Sequence, residues 1–125
     1  LWASGGDDTL IGGAGHDTLH GGGGADTFAF VDLADGFDTI QDFVSGEDRI
    51  ALSSAAFGLD AGALAGGVFS AGDGLMATLG SSPALYFDST GGRLYFDQTG
   101  GTTSDAVVIA QLTTGTLTEA DIIVI

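Results

Sequence analysis

Cysteine and lysine are both missing from this 125-residue chain, and proline occurs once, at Pro83. Without cysteine there is neither a disulfide framework nor a thiolate metal site. The only basic residues are Arg49 and Arg93, against 17 acidic ones, for a formal net charge of −15. So acidic a chain excludes nucleic acid and an anionic membrane as partners, because phosphate binding needs a basic surface. It also repels itself in the compact state, which calls for something cationic to offset it. No apolar run approaches the roughly 18 residues that cross a bilayer. There is no Gly-x-Ser-x-Gly elbow, no His-Glu-x-x-His, no phosphate loop and no cysteine nucleophile, so the chain is not read as an enzyme. No segment has an amphipathic helical period either.

What is present is glycine, 23 residues of it, and hydrophobic residues at 44%, enough to exclude disorder by composition and to build one modest core. The glycines are ordered. From Gly5 to Phe28 the sequence repeats every nine residues, with Asp8, Asp17 and Asp26 in register, each followed by threonine and then by Leu10, Leu19 or Phe28. A flexible linker would not repeat the apolar anchor. A nine-residue unit of six turn residues and three strand residues makes half a coil of a flattened parallel β-helix, with Leu10, Leu19 and Phe28 stacked inside it. Glycines permit the tight turn, and each aspartate closes it with a carboxylate. Converging carbonyl and carboxylate oxygens suit Ca²⁺, which takes six to eight hard oxygen ligands. His16 and His20 fall at variable positions and are expected to face solvent.

The register decays rather than stops. The same signature returns at Asp38-Thr39-Ile40 and Asp48-Arg49-Ile50. Residues 53–82 are rich in Ala, Gly and Ser and predict loops, short strands and one helical turn. Leu85-Tyr86-Phe87-Asp88 and Arg93-Leu94-Tyr95-Phe96 flank Ser89-Thr90-Gly91-Gly92, which predicts a hairpin. Ala106–Leu112 and Ile122–Ile125 read as further strands, with a short turn at Thr118–Asp121. The expected fold is all-β: a short parallel β-roll over 1–52, leading into an antiparallel, sandwich-like β cap over 53–125.

Residues 3–29 resemble a block of RTX repeats. The stretch from Ala25 to Ser53 is similar to the carboxy-terminal region of serralysin-type proteases and other RTX exoproteins. The Leu-Tyr-Phe-Asp hairpin and the final Asp-Ile-Ile-Val-Ile resemble the tails of type I-secreted RTX proteins. The resemblance implies that each calcium lies between turns two repeats apart. The earlier turn gives its second and fourth carbonyls and its aspartate, and the later turn its first and third carbonyls and its aspartate. One site would then use Ser4, Gly6 and Asp8 with Gly21, Gly23 and Asp26. A second would use Gly13, Gly15 and Asp17, completed from Asp35 to Asp38. A third would use Gly12, Ala14 and Asp17 with an upstream turn that this sequence lacks, so it is expected to be empty or distorted; with no initiator Met and a direct entry into a repeat, the chain reads as a piece of a longer protein with more repeats upstream. Asp42 and Asp48, with Glu47, form either a further calcium site or a solvated acidic edge.

The function this implies is a calcium-binding, calcium-triggered folding and export module of a secreted, extracellular bacterial protein. Its partner would be the type I secretion apparatus, which reads Asp121–Ile125. The alternative is a polysaccharide-binding or cell-surface adhesin module beside an upstream enzyme, with Tyr86 and Tyr95 as a possible stacking pair.

Overall fold

The computed structural model describes residues 2–13, 15–31, 37–59, 61–63, 69–72, 84–97, 107–113 and 116–125. Ala14, Asp35 and Pro83 lie outside them. Strand is the dominant regular structure of the described residues, with almost no helix. Their only α-helix is the single turn α1 (Ser54–Phe57), which starts where Ser53 Oγ accepts the Ala56 amide and ends at Gly58 in the left-handed conformation.

The repeats wind as their period requires. β1 (Thr9–Leu10), β2 (Thr18–Leu19), β3 (Thr27–Phe30), β4 (Asp38–Ile40) and β5 (Arg49–Leu52) alternate between two sheets. β1, β3 and β5 pair in parallel, with Leu10 opposite Phe28 and Phe28 opposite Ile50. β2 and β4 pair in parallel in the other sheet, with Leu19 opposite Ile40, and Trp2 bridges His20 beside them. The anchor of each repeat thus stacks on the anchor two repeats away. Leu10, Leu19, Phe28, Ile40 and Ile50 are all buried between the sheets. A fully buried side chain of this size contributes about 1.5–3 kcal/mol, so the anchors stabilise the coil as well as set its register.

The hairpin forms where its two apolar runs predict it. β8 (Ala84–Asp88) and β9 (Arg93–Asp97) pair antiparallel with Tyr86 opposite Tyr95, and the Gly92 amide bonds the Asp88 carbonyl across the turn. Tyr86 is buried and Tyr95 half-buried, so the pair does not present two open rings. β10 (Val107–Leu112) adds antiparallel to β9, with a register shift between Val108 and Ala110. β6 (Gly62–Ala63) and β7 (Phe69–Gly72) complete the sheet edges.

The sequence did not indicate where the later strands go. β10 lies parallel on β4, with Leu112 opposite Ile40. β11 (Ile122–Val124) lies parallel on β5, with Ile122 opposite Ile50. These two strands continue both sheets as the next rung of the roll, and the hairpin extends one of those sheets sideways. A single apolar core runs from Leu10 through Phe28, Phe57 and Phe96 to Val124, with Phe57 packed edge-on against Phe96 at 5.1 Å.

Candidate metal centre

The turns stack along two edges of the roll. Edge one carries turns 3–8, 21–26 and 43–48, and edge two carries turn 12–17 and Asp38 at the start of β4. On each edge a turn aspartate caps the turn before it through one oxygen. Asp26 Oδ1 accepts the Asp8 amide at 3.0 Å, Asp48 Oδ1 the Asp26 amide at 2.9 Å, and Asp38 Oδ1 the Asp17 amide at 2.9 Å. The neighbouring carbonyls are tied as well, Asp8 O to the Thr27 amide and Asp17 O to the Thr39 amide. One carboxylate oxygen of each capping aspartate therefore fixes the spacing of the turns.

Three other carboxylate oxygens of these turns lack partners. Asp8 Oδ2, Asp17 Oδ2 and Asp26 Oδ2 are buried and make no hydrogen bond. An ionised oxygen buried in this way costs several kcal/mol unless a cation or donor meets it. The surroundings fit a cation. Beside Gly12 the carboxylates of Asp17 and Asp38 come together: a Cβ there would stand 2.6 Å from Asp38 Oδ2 and 3.0 Å from Asp17 Oδ2. At Gly21 a Cβ would collide with Asp26 Oδ2. Both glycines keep open the space that these oxygens face. Among the described residues no three His, Asp or Glu side chains converge as a metal cluster. The arrangement instead offers one carboxylate from each of two turns with backbone carbonyls between them, a hard, oxygen-only donor set suited to Ca²⁺.

The structure brings the first expected ligand set together. Gly6 donates its amide to Gly23 O at 3.0 Å, so turn 3–8 lies directly on turn 21–26, and that carbonyl keeps its second lone pair. The Ser4 and Gly6 carbonyls face Gly22 and Gly24 of the later turn so closely that a Cβ on either glycine would collide with them. In the second set Asp17 and Asp38 meet, while Asp35 lies outside the described residues. Gly13 and Gly15 both have positive φ, at 82° and 93°.

Asp42 and Asp48 are placed differently. Asp42 gives Oδ1 to the Gly21 amide and Oδ2 to the Gly22 amide, at 2.9 and 2.7 Å. Asp48 gives its oxygens to the Asp26 and Val44 amides. Both residues cap turns in this structure. Asp7 and His20 make contacts that the repeat pattern does not signal. Asp7 accepts the Ala25 amide at 2.9 Å, and His20 stacks under Trp2 at 4.0 Å with its Nδ1 3.4 Å from Asp42. A variable repeat position gives no sequence signal for either.

Burial pushes the Asp26 carboxyl above its ordinary 3.8. The Asp8 amide bond opposes this, and the charges of Asp48, Asp8 and Asp42 reinforce it. A carboxyl raised by folding favours the fold while protonated, and that contribution is lost as pH rises through the raised value. In chelator, acidifying from neutral pH toward 4 is therefore expected to increase β-content by circular dichroism. In calcium the same change should raise the concentration of ion required. A calcium-free spectrum that loses β-content over this range would contradict the strained state of Asp26.

Comparison with protein families places the RTX calcium-binding nonapeptide repeat, in its four-copy form, on residues 1–29. The search of curated proteins found no match to the chain. RTX nonapeptide repeats bind Ca²⁺ and are not catalytic domains, and proteins that carry them are exported by type I secretion systems. The nine-residue register, the alternating parallel strands and the paired turn carboxylates, together with that match, identify residues 1–29 as an RTX calcium-binding repeat region.

Proposed function

We propose that this chain is a calcium-triggered folding and export module of a secreted protein, non-catalytic in itself. In this reading residues 1–52 are the calcium-responsive roll, and residues 53–125 are a cap whose Asp121–Ile125 segment is read by the type I exporter. The observation that carries it is the set of three buried, unpartnered carboxylate oxygens on Asp8, Asp17 and Asp26, in a chain of net charge −15. Ser4, Gly6, Asp8, Gly21, Gly23 and Asp26 would hold one ion. Gly13, Gly15 and Asp17 would hold another with the Asp38 turn.

The physical logic is linkage. Extracellular calcium modules bind at about 10⁻⁴–10⁻³ M, far above cytosolic calcium. Inside the cell the aspartates repel one another and the chain stays threadable. Outside, calcium binds only the folded state, so its binding free energy adds to folding. At a hundred times the dissociation constant, one site contributes about 2.7 kcal/mol. Two sites would decide the outcome for a small domain of marginal stability.

Circular dichroism during a calcium titration tests this. The expected result is a cooperative gain of β-signal at submillimolar to millimolar calcium, reversed by chelator and not reproduced by magnesium. A spectrum already β-rich in excess chelator and unmoved by calcium would sink the proposal.

A further inference from the structure

Edge one has three described turns and so two intervals, and the two are closed differently. In the first, Asp8 Oδ2 and Asp26 Oδ2 are buried without a partner. In the second, both carboxylate oxygens of the later turn's aspartate already have partners, because Asp48 accepts the Asp26 amide with one and the Val44 amide with the other. The remaining donors of that turn point elsewhere. Ser45 Oγ donates to Asp121 Oδ2 at 2.6 Å, and the Gly46 amide to Asp121 Oδ1 at 2.9 Å.

Asp121 reaches this turn from a distant part of the sequence. It ends the 3-10 turn Glu119–Asp121, and its Oδ2 also accepts the Thr118 amide at 2.9 Å and the Thr118 hydroxyl at 3.1 Å. Only 3% of the residue is exposed. Burial alone would raise its carboxyl. The bonds from Ser45, Gly46 and Thr118 outweigh that and hold it below 3.8, so the buried group stays ionised. The next residue, Ile122, opens β11 opposite Ile50. On edge two the aspartate ladder also stops, because the position opposite Asp38 is Ala110.

We propose that Asp121 is a metal-free clasp on turn 43–48. Its carboxylate gathers the turn's donors where the earlier turn pair would use calcium, and this seats β11 on β5 as a closing rung. The contrast with the earlier turns rests on the calcium reading above, whereas the clasp itself is a hydrogen-bond network. Two consequences follow. The chain takes up two calcium ions, one on each edge, and no third at turn 43–48. Within the folded chain, the seating of β11 depends on Asp121 and not on a metal ion of its own at turn 43–48.

The test combines calorimetric calcium stoichiometry with hydrogen exchange on the whole chain. Asp121→Asn keeps only one accepting oxygen, so either the Thr118 amide or the Gly46 amide is stranded. The expected result is two ions bound by both proteins. Amide protection of Ile122–Val124 should fall about tenfold or more, and that of Thr27–Phe30 should fall less. Ser45→Ala removes a single bond and keeps the fold, so a smaller drop confined to β11 and turn 43–48 is expected. Unchanged β11 protection in both variants would overturn the clasp. So would a third calcium in the wild type that Asp121→Asn abolishes. If no protein binds calcium, the folding reading fails, and the exchange difference between wild type and Asp121→Asn still decides the clasp.

Discussion

Asp26→Asn is expected to raise the calcium concentration at half-maximal folding by about a hundredfold, roughly 2.8 kcal/mol, without reducing β-content in chelator. Asp26 sits at the centre of the edge-one ladder. It caps Asp8 from one side and is capped by Asp48 from the other. Its free oxygen is buried beside Gly21. With calcium, that oxygen supplies charge that an amide lacks. Without calcium the same charge is a liability, because burial and the neighbouring carboxylates already press the group toward neutrality. Asparagine keeps an oxygen for the Asp8 amide and removes that repulsion. The sign therefore reverses between the two conditions, which simple damage to the fold would not produce. Glu119→Ala removes a carboxylate from an exposed position and should move the midpoint less than twofold. Equal shifts in the two variants would show that net charge, rather than the turn site, sets the calcium response.

The contrast between Asp26 and Asp121 also shows what the sequence disclosed. The repeat was legible because its information is local. Nine residues fix a turn, an aspartate and an anchor, and the period carries each anchor onto Leu10, Phe28 and Ile50 in turn. The hairpin was legible for the same reason, since two apolar runs flank a glycine turn. The strand–turn character of Thr118–Ile125 could be read too, and Thr118 with Asp121 even forms a capping box. That this segment would return to the roll could not be read. Nothing in Asp-Ile-Ile-Val-Ile specifies a parallel seat on β5 rather than another partner. A buried strand read one face at a time looks the same wherever it pairs. The choice was made by what the rest of the chain left open: an unpaired β5 edge, and Ser45 and Gly46 donors without acceptors of their own. The roles of Asp42 and Asp48 stayed undecided for a related reason. Whether a carboxylate caps an amide or waits for a metal depends on donors about 20 residues away.

Gly24→Ala and Gly6→Ala form a matched pair that measures how closely the turns must stack. Both glycines have φ of 106°, so either alanine carries the same backbone strain, about 1–3 kcal/mol. They differ in what the new methyl meets. At Gly6 there is nothing within 4 Å. At Gly24 the methyl would run into the Gly6 carbonyl oxygen, with its carbon 2.6 Å away. That neighbour is backbone and cannot swing aside, so turn 3–8 must lift off turn 21–26. Lifting it breaks the Gly6–Gly23 hydrogen bond and moves the Ser4 and Gly6 carbonyls away from the proposed ion. Gly6→Ala should therefore cost about 2 kcal/mol by denaturant unfolding in saturating calcium, with a modest change in the calcium midpoint. Gly24→Ala should cost at least about 4 kcal/mol and raise the midpoint more than tenfold. Its damage should stay in the repeats, leaving exchange protection of the β8–β9 hairpin close to wild type, because that hairpin belongs to the other sheet, beyond β4 and β10. Equal losses in the two variants would mean that strain at φ accounts for the whole effect. The close approach of the two turns would then carry none of the calcium response.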